Sequence, residues 1–202
     1  MAQEGRGEGP LAAGAQGRAC DESVPMTSFA GGGTLARFFA GLCEYVFQTR
    51  LGVADPPMVD YLSGLMLRFA RLDAIYRVRD LAGRPVTEVA GMLAEAEQRV
   101  GLARRDVHRH IGDVTLFWTG VFPESLPRLR SLESRDFFLD YCQQGKRAYY
   151  IASTIQTDRE EDTPKDVLQR LSQQFEMCVY GLGEVRREWE RRDDPQPRLL
   201  WR

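Results

Sequence analysis

Lysine and histidine are nearly missing from this chain: of 27 basic residues only Lys146 and Lys165 are lysines, and the only histidines are His108 and His110. A deficit of lysine against arginine reads as a GC-rich coding bias, which the base composition of the genome would test. The doublets Arg104-Arg105, Arg186-Arg187 and Arg191-Arg192 therefore carry little weight as phosphate contacts. Acidic residues from Glu184 to Asp194 surround the last two, which reads as a solvated helix face. A formal net charge of −2 excludes a broad nucleic-acid footprint. No apolar run approaches the roughly 18 residues that a membrane-spanning helix needs. The first residues also lack the basic start and continuous apolar stretch of a signal peptide. The four cysteines, Cys20, Cys43, Cys142 and Cys178, form no Cys-x-x-Cys pair, so no zinc-ribbon or dithiol signature is present. Three of them fall on apolar helical stripes, where a reduced thiol acts as a small hydrophobe. A cytoplasmic location fits best.

Catalytic signatures are equally sparse. There is no Gly-x-Ser-x-Gly nucleophile elbow and no activated Cys-His signature. Gln144-Gly145-Lys146-Arg147 lacks the spacing of a phosphate loop, and Gly145 fits a close helix crossing better. No Glu-x-x-His occurs, although di-iron bundles need that pair on two helices.

What the chain does have is helical patterning. At 202 residues and 43% hydrophobic content it can bury a single core. Residues 1–30 read as a disordered Gly/Ala-rich tail, with Met26 as an alternative start. Residues 31–192 read as a helical domain, and 193–202 as an extended tail ending in the apolar hook Leu199-Leu200-Trp201.

About six helices are predicted. Thr34 caps the first, with Leu35, Phe38, Phe39 and Leu42 on its stripe. Asp55-Pro56-Pro57 opens the second, whose stripe from Met58 through Tyr61, Leu65 and Phe69 is unusually regular. The third carries Val89, Leu93 and Ala96 and stops at Gly101. The fourth is the histidine helix, and the fifth presents Tyr141, Cys142, Ala148 and Tyr149. Thr163-Pro164-Lys165-Asp166 starts a sixth, continuous from Val167 through Leu171, Phe175 and Cys178 toward Trp189. No sustained alternation of the strand type occurs. The fold class is all-α, a single-domain antiparallel helical bundle.

The segment Asp106-Val107-His108-Arg109-His110-Ile111-Gly112-Asp113 concentrates the chain's ionisable chemistry at the head of its most apolar helix. At about 3.6 residues per turn, Asp106, His110 and Asp113 share one row. A carboxylate on either side of His110 would favour its imidazolium. His108 falls on another face. Three readings stand: a polar seam that ties helices together, a general acid/base site oriented by Asp113, and a mixed metal site using His108 or His110 with Asp113 and a carboxylate such as Asp73 or Glu44. No cofactor is implied beyond such an ion. Asp73 is the other buried-carboxylate candidate, and Tyr149, beside Lys146 and Tyr150, the candidate that would line a pocket.

Arg109-His110-Ile111-Gly112-Asp113, followed by Leu116-Phe117 and Gly120-Val121-Phe122-Pro123-Glu124, resembles a segment of an uncharacterised bacterial all-helical family. The resemblance covers about fifteen residues, extends to the helix from Tyr61 to Tyr76, and implies a bacterial origin but no activity.

Two function classes follow. One is a non-enzymatic helical module that binds a protein, or itself, through Trp118, Phe122, Trp189 or Trp201. The other is a small-molecule or metal site in the bundle, centred on His110 and Asp113, with enzymatic activity as a variant. Neither nucleic acid nor membrane is expected as a partner.

Overall fold

Asp55 opens the second helix as its sequence implies. Its carboxylate accepts from the Met58 backbone N–H at 3.2 Å, and Pro56 and Pro57 occupy the first turn, where a missing N–H costs no hydrogen bond. The computed structural model describes residues 31–70, 77–80, 82–126, 134–156 and 163–193. These contain seven α-helices: α1 Gly31–Glu44, α2 Pro56–Phe69, α3 Val89–Glu97, α4 Gly101–Gly120, α5 Ser134–Thr154, α6 Lys165–Gln173 and α7 Phe175–Asp193. A π-helical stretch, Tyr45–Arg50, continues α1, and a 3-10 turn, Pro123–Ser125, follows α4. The described residues form no strand; a single bridge between Arg79 and Pro85 closes a tight turn. The all-α class holds.

The count of six is corrected to seven. The segment read as one long final helix breaks at Gln174 (φ −110°, ψ 27°) into α6 and α7. Leu171, Phe175 and Cys178 keep spacings of four and three across the break, so periodicity is blind to it. Two predicted caps also move. Thr34 lies inside α1. At α6 the N-cap position falls to Pro164, with no side-chain cap. Gly101 begins α4 rather than ending α3, which closes at Gln98.

Helix α4 is the axis of the fold, packing against α2, α3, α5 and α7. Between Arg105 and Gly120 every residue is buried except Asp106, Arg109 and Trp118. Such a helix must satisfy its polar side chains internally. The Thr115 hydroxyl donates to the Ile111 carbonyl at 2.7 Å and that of Thr119 to the Thr115 carbonyl at 2.7 Å. Arg105, 1% exposed, donates to the carbonyls of Ala152 (3.2 Å) and Thr163 (2.7 Å), which stitches the end of α5 and the approach to α6 onto α4. At Gly112 the backbone is so close to α5 that a Cβ would lie 2.7 Å from the Tyr149 ring.

The thiols of Cys43, Cys142 and Cys178 are free and buried. Burial pushes Cys43 and Cys178 up to about 12 and Cys142 to about 11, so they are inert filling rather than nucleophiles. Cys20 lies outside the described residues. The doublets Arg186-Arg187 and Arg191-Arg192 run along α7 in ion pairs with Glu184, Glu188 and Glu190. Trp118, Phe122 and Trp189 pack against the core, whereas Trp201 lies outside the described residues. No helix among the described residues is long and apolar enough to cross a membrane.

Candidate functional site

Asp113 is the centre of a buried polar cluster. It is 4% exposed, and three donors converge on its carboxylate from two other helices. The Tyr61 hydroxyl of α2 donates to Oδ1 at 2.5 Å, the Tyr149 hydroxyl of α5 donates to the same oxygen at 2.8 Å, and Arg68 Nη2 of α2 donates to Oδ2 at 3.2 Å. A carboxylate taken out of water is tolerable only with such a set of partners. Burial, and then the Asp113 charge, pushes both tyrosines well above the ordinary phenol range. Burial, the largest single influence, works against the charge of Arg68, but Asp113, Tyr61 and Tyr149 together outweigh it and raise the guanidinium above its ordinary value. The guanidinium also lies over the Tyr61 ring, 5.1 Å from its centroid. Arg68 reaches this position by folding back over Gly64, where a Cβ would sit 3.3 Å from its Nη1.

The row read from the sequence is divided. Asp106 is half-buried and pairs with Arg109 Nη2 at 3.5 Å, while Asp113 turns toward α2 and α5. The His110 ring is buried and stacks on Phe69, with centroids 6.2 Å apart and planes at 21°. His108 is buried too, and neither of its ring nitrogens finds a hydrogen-bond partner among the described residues. Burial, reinforced by the nearby charges of Arg104 and Arg147, holds its pKa below the ordinary imidazole value. The Tyr149 ring is fully buried in the core, and its hydroxyl reaches Asp113. Of its predicted companions, Lys146 pairs with Glu176 at 2.8 Å and Tyr150 is exposed. Asp73 lies outside the described residues. Among the described residues no three His, Cys, Asp or Glu side chains converge as metal ligands.

A half-open cleft of about 450 Å³ adjoins the Asp113 cluster and shares Tyr61 and Arg68 with it. Two more arginines, Arg77 and Arg109, border it. Arg109 is positioned from α4 by Asp106 and by donating from Nη1 to the Thr163 hydroxyl at 3.1 Å. Arg77 enters no ion pair or hydrogen bond among the described residues. Pro57, Pro164 and Val167 form an apolar wall, and Asp60 adds a carboxylate. A second cavity of about 390 Å³, between α3 and α5, is bordered by Glu88 and Asp140 and gathers no comparable set of donors.

Four members of this site escape the sequence reading. Tyr61 sits on a regular apolar stripe and reads as core. Arg68 and Arg77 belong to an arginine pool discounted as coding bias. Thr163 reads as a helix cap, yet its carbonyl and hydroxyl serve Arg105 and Arg109. The signal that was available is Gly64 one turn before Arg68, the spacing at which a helix leaves room for a long side chain to fold back. No family model, curated protein or solved structure matches this chain.

Proposed function

We propose that this chain is a small-molecule-binding helical domain whose ligand carries an anionic group, held in the cleft bordered by Arg68, Arg77 and Arg109. The observation that carries this reading is that three arginines border one concave surface, two of them pre-positioned by buried partners. The volume of about 450 Å³ falls within the range of small-ligand sites. Arginine suits the task because its planar fork offers five N–H donors. Arg68 commits Nη2 to Asp113, and Arg109 commits Nη1 to Thr163 and pairs through Nη2 with Asp106, which leaves further donors on each for an anion. Asp113 is then the positioning residue that fixes Arg68 and Tyr61 at the cleft.

Binding fits better than acid–base chemistry because the hydroxyl protons of Tyr61 and Tyr149 are committed to Asp113 and held far above neutral pH. It also fits better than docking of a protein through aromatic anchors, since Trp118, Phe122 and Trp189 are already packed on the core.

Calorimetric titration with inorganic phosphate and a panel of small organic acids, at constant ionic strength set by chloride, tests the reading. At least one anion should bind saturably. Arg77→Gln should weaken it by about tenfold or more, the size of one charge-assisted hydrogen bond, without altering thermal stability in its absence. Saturable binding that is indifferent to both Arg77→Gln and Arg109→Gln would place the site elsewhere, and no saturable binding by any anion would end the proposal.

A further inference from the structure

The cleft carries charge of both signs. Asp60 of α2 borders it from an exposed position, and its carboxylate enters no ion pair or hydrogen bond among the described residues. Arg77, on the same cleft, is equally exposed and equally without a partner among them. Either charge alone would be an ordinary solvated side chain. Their placement is different, because two opposite charges border one concave surface and do not neutralise each other. Unpaired exposed charges also occur elsewhere, as at Arg37, Glu97 and Arg147, but none of these borders this cleft. Where opposite charges lie within reach they pair, Arg84 with Asp80 at 2.8 Å, Arg186 with Glu190 at 2.7 Å and Lys146 with Glu176 at 2.8 Å. The cleft between Asp60 and Arg77 also has an apolar wall in Pro57, Pro164 and Val167. Apolar surface in a site rewards an apolar ligand body, whereas the isolated charges at its border reward a ligand with an ionic group of each sign.

We infer that the ligand is a small zwitterion with an apolar body, of amino-acid to dipeptide size. Its carboxylate meets Arg77 and the free donors of Arg109, its ammonium meets Asp60, and its side chain lies against Pro57 and Val167. This rests on the anion-site reading above and adds the cationic end. The two ends divide the work: the acid group supplies attraction to the arginines, and Asp60 supplies the discrimination. An acid without an ammonium leaves Asp60 facing the ligand uncompensated, and an amine without an acid faces three guanidiniums.

The test compares three probes of one shape by calorimetry: free leucine, its deaminated analogue 4-methylpentanoate and its decarboxylated analogue 3-methylbutylamine. Leucine should bind about tenfold or more tightly than either single-charge analogue, the discrimination expected of one charge-assisted contact. Asp60→Asn should reduce leucine to the level of 4-methylpentanoate while leaving 4-methylpentanoate unchanged or slightly tighter. Arg77→Gln should weaken leucine and 4-methylpentanoate alike. Circular dichroism and the thermal midpoint of each variant check that these exposed positions leave the fold intact. If 4-methylpentanoate binds as tightly as leucine and Asp60→Asn alters neither, the zwitterion is overturned and the anion site stands. If leucine and both analogues fail to bind while inorganic phosphate binds in an Arg77-dependent way, the zwitterion is again overturned and the anion site stands. If no anion binds at all, both fall together.

Discussion

Asp113 shows how one residue can decide whether three helices meet. Its carboxylate is the common acceptor for donors from α2 and α5. Asp113→Ala strands two tyrosine hydroxyls and part of a guanidinium in a buried space. It should cost about 3–5 kcal/mol in urea unfolding, the range for removing one partner of a buried charged pair. Tyr149→Phe removes one neutral donor and should cost about 1–2 kcal/mol. Asp106→Ala, half-exposed and paired at 3.5 Å, should stay within about 0.5 kcal/mol. Equal costs for Asp113→Ala and Asp106→Ala would mean that the cluster does not hold the helices. At this scale the sequence was readable for a specific reason. An aspartate on an apolar helix demands partners and so stands out alone, whereas Tyr61 on its regular apolar stripe reads as core. The identity of the partners was not readable, because Tyr61 lies 52 positions from Asp113 and no local pattern encodes that meeting.

Helices α4 and α5 form the main contact of the fold, and Gly112 of α4, like Gly145 of α5 opposite Thr115, lets them come close. Alanine in place of Gly112 would gain about 1 kcal/mol of helix propensity, but its Cβ would come 2.7 Å from the Tyr149 ring. That ring cannot retreat without stretching the hydrogen bond to Asp113, so the steric term wins. Gly112→Ala should destabilise by about 1–3 kcal/mol, and in a double-mutant cycle with Tyr149→Leu much of that cost should disappear. A neutral or stabilising Gly112→Ala would mean that α5 can shift freely. Element type was legible throughout, since the 3.6-residue stripes mark every helix. Element ends were less so. The break at Gln174 carries no proline or glycine and leaves the stripe in phase. Thr163 reads as a helix cap because capping is local, whereas its actual duties to Arg105 and Arg109 arise from the tertiary arrangement.

At the scale of the whole molecule the response to acid separates into two windows. The lowered carboxyl groups, Asp80 beside Arg84 and Glu176 beside Lys146, start from ordinary values of 3.8 and 4.5, so their contributions are present above those values and lost below them. His108 acts earlier. Its folded-state pKa lies below the ordinary 6.5, because its ring is buried and Arg104 and Arg147 oppose a further positive charge, against a weaker pull from Glu97. As pH falls past 6.5 the unfolded chain takes up a proton that the folded chain resists. The fold therefore loses stability from there down to the folded-state pKa and none further from this group below it. The limiting slope for one proton is about 1.4 kcal/mol per pH unit. His108→Leu replaces an imidazole that makes no hydrogen bond among the described residues with an apolar side chain of similar volume. It should leave stability at pH 7.5 within about 1.5 kcal/mol of the parent and flatten the decline between pH 6.5 and 5. Urea unfolding at half-unit steps reads both quantities. A decline that persists undiminished in His108→Leu would assign it to other groups and mean that burial at α4 leaves this imidazole free to charge.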